Sequence, residues 1–269
     1  MSVLLQISDP HFGTEQTPVV DALAALSREQ RPDLVVLSGD ITQRATQDQF
    51  RAARAFMDRL GVPFMAIPGN HDIPLFNLSA RLFSAYARFH RSFGTALEPV
   101  YDAPDLLVLC VNTTRWYRHV NGEVSRAQID RVAAALMQAR SRQLRVVVVH
   151  QPVAVMRPGD VHDRLRGYDQ ALQRWSTAGG DIVMGGHIHL PYVKSLPGLP
   201  RPMWAVQAGT SVSSRIRDGI PNSVNIVRCG SDSPEGCCRV EQWDYAAQLN
   251  AFVRSTVTEI TPVRRTSAA

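Results

Sequence analysis

Five apolar runs in this chain each end in a short cluster of polar residues, and this alternation constrains the fold more than any other feature. Val3 to Ile7 leads into Ser8-Asp9-Pro10-His11-Phe12-Gly13, Leu34 to Leu37 into Ser38-Gly39-Asp40, and Val62 to Ile67 into Pro68-Gly69-Asn70-His71-Asp72. Leu144 to Val149 ends at His150-Gln151-Pro152, and Ile182 to Met184 at Gly185-Gly186-His187-Ile188-His189. Short runs this rich in Val, Ile and Leu read as strands buried on both faces. Between the first three lie segments of helical spacing, one with Val19, Val20, Leu23, Ala24 and Leu26 after Pro18, the other from Thr46 to Leu60. Strand alternating with helix predicts an α/β fold whose polar clusters gather at one end of the strands, where open sheets bind ligands.

The rest of the chain extends this plan. Leu75 to Phe93 reads as one or two helices over the mouth of that site, and Val100-Tyr101 with Leu106 to Val111 as a strand pair. Ser125 and Gln128 form a capping-box pattern ahead of Ile129, Val132, Ala133, Leu136 and Met137, which predicts a helix, and a shorter one follows at Tyr168 to Ala178. Strand-like segments at Met203 to Ala208, Ser223 to Val227 and Arg239 to Trp243 suggest a second sheet packed on the first. Thr261 to Ala269 reads as a frayed tail.

At 269 residues and 45% hydrophobic content the chain can bury a full core. Its net charge of +5 suits anionic ligands such as phosphate esters, although many proteins without such ligands carry as much. Lys194 is the one lysine, so the positive charge is nearly all arginine, scattered without interleaved aromatics; this argues against a nucleic-acid-binding face. Cys110, Cys229, Cys237 and Cys238 show no C-x-x-C spacing, so reduced thiols and no zinc finger are expected. The start of the chain has no signal-peptide pattern, and no apolar stretch reaches the ~18 residues of a membrane span. A soluble cytoplasmic protein is the expectation.

Five of the eight histidines, His11, His71, His150, His187 and His189, fall in the strand-end clusters beside Asp9, Asp40 and Asn70. Imidazole mixed with carboxylate and amide oxygen suits manganese, iron, cobalt, nickel or zinc and disfavours calcium.

The order Asp9-x-His11, Gly39-Asp40, Gly69-Asn70-His71-Asp72, His150, Gly186-His187-x-His189 resembles the calcineurin-like metallophosphoesterase superfamily. The resemblance implies a two-sheet β-sandwich flanked by helices, a single domain over residues 1–260 and a flexible tail at 261–269. It also implies two metal ions per chain, with manganese, iron or zinc as candidates. Asp9, His11, Asp40 and His189 would hold one ion and Asp40, Asn70, His150 and His187 the other, with Asp40 between them. A hydroxide bridging the ions would attack phosphorus in line. His71 would face the substrate as acid or electrostatic aid, and Asp72 would either orient His71 or cap the loop.

Within the superfamily the length, Asp72 and the segment Asn121-Gly122-Glu123-Val124-Ser125 look most like bacterial class III cyclic-nucleotide phosphodiesterases. Gln151 departs from the second histidine that many phosphodiesterases of this branch carry. The expected substrate is a small phosphodiester such as a 3',5'-cyclic nucleotide. Phosphomonoesters and lipid or glycerol phosphate esters are the alternatives, and the intact ligand set argues against a non-enzymatic scaffold. Arg215 and Arg217, and at the edge of the site Asn112 and Arg115, are candidate substrate contacts, with His119 and His162 as further pocket candidates. Homo-oligomerisation stays open.

Overall fold

The computed structural model describes residues 2–75, 78–229 and 237–263. Strands β1 (Ser2–Ile7), β2 (Leu34–Ser38) and β3 (Phe64–Ile67) are joined by helices α1 (Thr17–Gln30) and α2 (Gln47–Leu60) and pair in parallel, as the alternation predicts. The short helices α3 (Leu78–Phe83) and α4 (Ala87–Phe93) follow, then β4 (Val100–Asp102) and β5 (Leu106–Cys110) as an antiparallel pair. Helix α5 (Arg126–Met137) leads to β6 (Leu144–Val148), and α6 (Tyr168–Ala178) to β7 (Ile182–Gly185). The chain closes with β8 (Tyr192–Ser195), β9 (Trp204–Gln207), β10 (Ser223–Cys229), β11 (Cys238–Ala246) and β12 (Ala251–Ile260).

Two six-stranded mixed sheets result, in the orders β12-β11-β10-β1-β2-β3 and β4-β5-β6-β7-β9-β8. The expected β-sandwich is therefore present, but the C-terminal strands do not form a sheet of their own. β10, β11 and β12 extend the first sheet through the antiparallel pairing of β10 with β1, while β8 and β9 join the second. A strand's apolar composition does not encode which edge it will add to, so this partition was not legible beforehand.

The alternation of side chains across each strand builds the layers. In β1, Val3, Leu5 and Ile7 face α1 and α2, where Phe50, Phe56 and Leu23 pack, while Leu4 faces the other sheet. Val147 and Val149 lie toward α5 and α6 around Trp175, and Val146 and Val148 meet Leu4, Val36 and Ile67 between the sheets. Both faces of the central strands are thus covered, giving helices, sheet, sheet, helices. The capping box at α5 forms as predicted, with the Ser125 side chain accepting from the Gln128 amide and Gln128 returning to Ser125. Leu75 to Phe93 does hold two helices, of which α4 is anchored on α2 through Phe89 against Phe50, ring centroids 6.3 Å apart.

One expectation is corrected. Cys229 and Cys238 stand opposite each other in the β10–β11 register with Cα atoms 4.5 Å apart and form a disulfide, whereas Cys110 and Cys237 are free. Their sequence spacing has no disulfide signature; only the strand register faces one against the other. No helix among the described residues is long and apolar enough to cross a membrane. The tail expected at 261–269 falls beyond β12, and residues 264–269 lie outside the described residues.

Candidate metal centre

Every candidate ligand lies just past a strand, and five of the seven sit in backbone that a non-glycine residue adopts only under constraint. Asp9, His11, Asp40, His187 and His189 all have positive φ, between 43° and 76°, and they make up five of the eight such non-glycine residues among those described. Strain of this kind, of order 1–3 kcal/mol per residue, persists only where surrounding contacts enforce it, and it collects at functional sites. Two glycines make the close approach possible. A Cβ at Gly69 would lie 2.0 Å from the Asp40 amide nitrogen, and one at Gly186 2.4 Å from Asp9 Oδ2. A residue larger than glycine at either position would push the strand-end loops apart.

The side chains converge on two neighbouring points. Asp9, His11 and His189 form one group able to hold a metal ion, and Asp40, His150 and His187 another. His11 Nε2 lies 3.1 Å from His189 Nε2, which is itself 3.4 Å from Asp9 Oδ1. In the second group His150 Nε2 is 3.3 Å from Asp40 Oδ1 and 3.1 Å from Asn70 Oδ1. Ligand atoms held ~2.1 Å from one ion lie about 3.0–3.4 Å apart at octahedral to tetrahedral angles, so these separations fit common coordination. The two oxygens of Asp40 point to different groups, Oδ1 to His150 and Oδ2 to His11 at 3.8 Å.

The atoms behind the ligands agree. His150 Nδ1 donates to the Ser38 carbonyl at 2.9 Å, which leaves Nε2 to face the centre. His187 Nδ1 is buried without a hydrogen-bond partner, an arrangement that costs free energy unless something else takes the lone pair. Its Nε2 lies 3.5 Å from Asp163 Oδ1, so that carboxylate orients the ring. Ser8 Oγ donates to Asp9 Oδ2 at 2.6 Å.

The electrostatics suit a bound cation. Burial works against the Asp9 charge, yet the hydrogen bond and charge of His189 outweigh it and hold the carboxyl at about 2. Burial drives the His11 ring down to about 3 despite Asp40 and Asp9, so it is neutral and ready to ligate. For His150 burial also opposes the charged ring, but Asp40 outweighs it and pushes the pKa up to about 9. The ring is therefore protonated at neutral pH, and a metal ion held by His150 would have to displace that proton. The association constant for manganese or zinc should then rise about tenfold per pH unit between about pH 6 and about pH 9 and level off above. Calorimetric titration in buffers of different ionisation enthalpy reads the released proton, and a constant that is flat over that range would refute the assignment.

His71 is placed differently. Its Nδ1 donates to the Gln43 carbonyl at 3.1 Å, and its Nε2 lies 3.3 Å from Arg215 Nη1. It stands close enough to His11 and Asp40 to share an ion with them, but a guanidinium beside Nε2 is a poor companion for a metal-bound nitrogen. Asp72 does not contact the His71 ring. Its carboxylate accepts from the amides of Gly69, Ile41 and Thr42 and from the Thr42 hydroxyl, tying the Asp40 loop to the Asn70 loop, which are the contacts the loop-capping alternative calls for. Burial and the charge of Asp40 raise its pKa to about 6 against those bonds.

Of the candidate substrate contacts, Arg215 alone reaches the cluster, with Nη1 3.4 Å from His11 Nδ1 and 2.9 Å from Gln43 Oε1. Arg217 forms a two-pronged ion pair with Asp160 and donates to the Ile188 carbonyl, so it pins the loop between His187 and His189. Asn112 Oδ1 caps Thr114, and Arg115 is spent on the carbonyls of Asn112 and Thr114 and on Gln128; both belong to the architecture of their loop. His119 stands near His71, ring centroids 5.9 Å apart, whereas the exposed His162 lies beside Asp163. Gln43 and Asp163 went unnoticed in the sequence. Gln43 follows Asp40 closely enough to have been considered, whereas nothing in the sequence links Asp163 to His187.

A family model described as calcineurin-like phosphoesterase matches residues 2–191. A probable cyclic nucleotide phosphodiesterase of Synechococcus is 27% identical over 209 residues, covering 71% of this chain and 74% of its own. A probable glycerophosphodiester phosphodiesterase of Arcobacter nitrofigilis is 35% identical over 81 residues, only 26% of this chain and 30% of its own. Among solved structures, a dimetal phosphatase from Danio rerio superposes with a TM-score of 0.68 at 14% identity, covering 97% of this chain and 99% of that one, which speaks for the fold. The family match and the converging aspartates and histidines together place the chain in the calcineurin-like phosphoesterase family, as a metal-dependent phosphoric ester hydrolase.

Proposed function

We propose that the chain hydrolyses a small phosphodiester, with a 3',5'-cyclic nucleotide as its substrate. The observation that carries this reading is Asp40, whose two carboxylate oxygens face two separate ligand groups, as a residue shared by two ions must. Asp9, His11, Asp40 and His189 would hold one ion, and Asp40, Asn70, His150 and His187 the other. When bound, the pair supplies charge against the phosphate oxygens and an activated water. Manganese, iron and zinc all suit these donors.

The chain's own residues supply the rest. Since a carbonyl only accepts, the Gln43 carbonyl keeps a proton on His71 Nδ1 and turns Nε2 toward the open side of the site. From there the ring would serve the departing oxygen as acid or electrostatic aid, with Arg215 Nη1 3.3 Å from the same nitrogen. Arg215, beside both His11 and His71, offers guanidinium hydrogens to a phosphate oxygen, a charge-assisted contact that strengthens as negative charge builds. The phosphodiesterase names of the Synechococcus and Arcobacter relatives support a diester over a monoester.

Turnover by manganese-, iron- and zinc-loaded protein should be compared on cyclic AMP, bis-(p-nitrophenyl) phosphate, p-nitrophenyl phosphate and a glycerophosphodiester. Diesters should exceed the monoester in kcat/KM, with cyclic AMP opened to a monophosphate. No diester turnover with any of the three metals would sink the proposal. A glycerophosphodiester preferred over cyclic AMP would select the reading that the Arcobacter relative favours.

A further inference from the structure

His71, which stands beside the ligand cluster, also lines a cavity of about 300 Å³. Ile73, Pro74 and Leu75 supply its aliphatic lining, and Gln43, Arg44, Arg88 and His119 its polar lining. We infer that this cavity is a nucleobase subsite, in which a planar heterocycle carried by the phosphodiester lies between the aliphatic lining and the planar groups of His119 and Arg88. The inference rests on the phosphodiesterase reading above and names the part of the substrate that the cavity selects.

The lining decides the chemistry. An acyl chain would meet imidazole and guanidinium groups and strip water from them with no bond in return. A second phosphate could pair with Arg44 or Arg88 but would leave Ile73, Pro74 and Leu75 without an apolar partner. A flat, polar ring satisfies both linings, since guanidinium and imidazole stack on π faces and an aliphatic lining suits the opposite face. The planes are held in place. Arg88 Nη1 is anchored on the Ala45 carbonyl at 2.8 Å, and the His119 ring leans on His71 at 5.9 Å between centroids. Gln43 Oε1 accepts from Arg215, which turns its amide nitrogen outward as an edge donor for a ring nitrogen or carbonyl. The position also fits the reaction. His71 lines the cavity and also stands beside His11 and Asp40, so with the leaving-group role proposed for it a sugar joined through the departing oxygen would carry its base toward the cavity.

Half-exposed Leu75, 44% accessible, can be enlarged without disturbing a core, so Leu75→Trp fills the cavity and His119→Ala removes one stacking face. Binding of AMP and of ribose 5-phosphate to the metal-loaded protein should be measured by calorimetry. Turnover should be compared on cyclic AMP and on methyl ribofuranoside 3,5-cyclic phosphate, which lacks a base. Stacking of one base corresponds to about 10-fold to 100-fold in affinity. AMP should therefore bind tighter than ribose 5-phosphate by that factor, and both variants should erase the difference while keeping the parent's metal content. Equal binding of AMP and ribose 5-phosphate by the parent would overturn the inference, as would variants that weaken both ligands alike. If AMP shows the base-dependent gain while cyclic AMP is not turned over, the subsite stands and the cyclic-nucleotide reaction falls.

Discussion

Asp40→Asn should abolish binding of both metal ions and lower kcat/KM on a phosphodiester by about 10³-fold or more, because metal ions supply several kcal/mol of transition-state stabilisation and each 1.4 kcal/mol is about tenfold. The substitution keeps the side chain's size and one acceptor oxygen, so it tests charge and not packing. Asp40 is buried, and its Oδ1 also accepts the His71 amide at 2.8 Å, a bond the amide oxygen of asparagine can keep. Only one of its two positions can then be an oxygen donor, and a nitrogen carrying two hydrogens faces the other group. Metal analysis by mass spectrometry gives the stoichiometry, and circular dichroism confirms that the fold survives. Two ions per chain with activity within tenfold of the parent would show that Asp40 does not join the two groups.

His71→Ala should behave in the opposite way, keeping both metal ions and losing about 10² to 10⁴ in kcat, the usual range for removing a general acid. Its neighbour gives the contrast. Asn70 Oδ1 lies 3.1 Å from His150 Nε2 inside the second ligand group, so Asn70→Ala should lower the metal content at that position and lose rate as a consequence. The two residues are adjacent in sequence on one short turn, Asn70–Asp72, yet point to different tasks. Excess manganese should therefore restore much of the rate to Asn70→Ala and none to His71→Ala. A His71→Ala protein that has lost its metals would move His71 into the ligand set, where its distance to His11 and Asp40 would allow it.

Much of the architecture was legible because it depends on local pattern. The doubly buried strands announced themselves as unbroken apolar runs, and Val146 to Val149 do alternate between the inter-sheet core and the helical layer. The helix at Arg126–Met137 was signalled by its own cap. β8 and β12 were not anticipated. β12, Ala251–Ile260, exposes most of its side chains on one edge of the first sheet, so it lacks the apolar run that marks a central strand. The Cys229–Cys238 bridge depends on hairpin register, which one residue of slip would undo.

By itself the sequence determined which chemical groups stand at the strand ends, because a run of buried valines and leucines must stop where the polar residues begin. It thereby placed Asp9, His11, Asp40, Asn70, His150, His187 and His189 at candidate positions in loops. Tertiary structure decided what each atom faces. It gave Asp72 to the loop between Ile41 and Gly69, left His71 to the Gln43 carbonyl, brought Arg215 to the cluster and tied Arg217 to Asp160. The reason is physical. Which of two arginines two residues apart reaches the site depends on loop direction and on partners far along the chain, and such contacts exist only once sheet order has fixed the loops against one another.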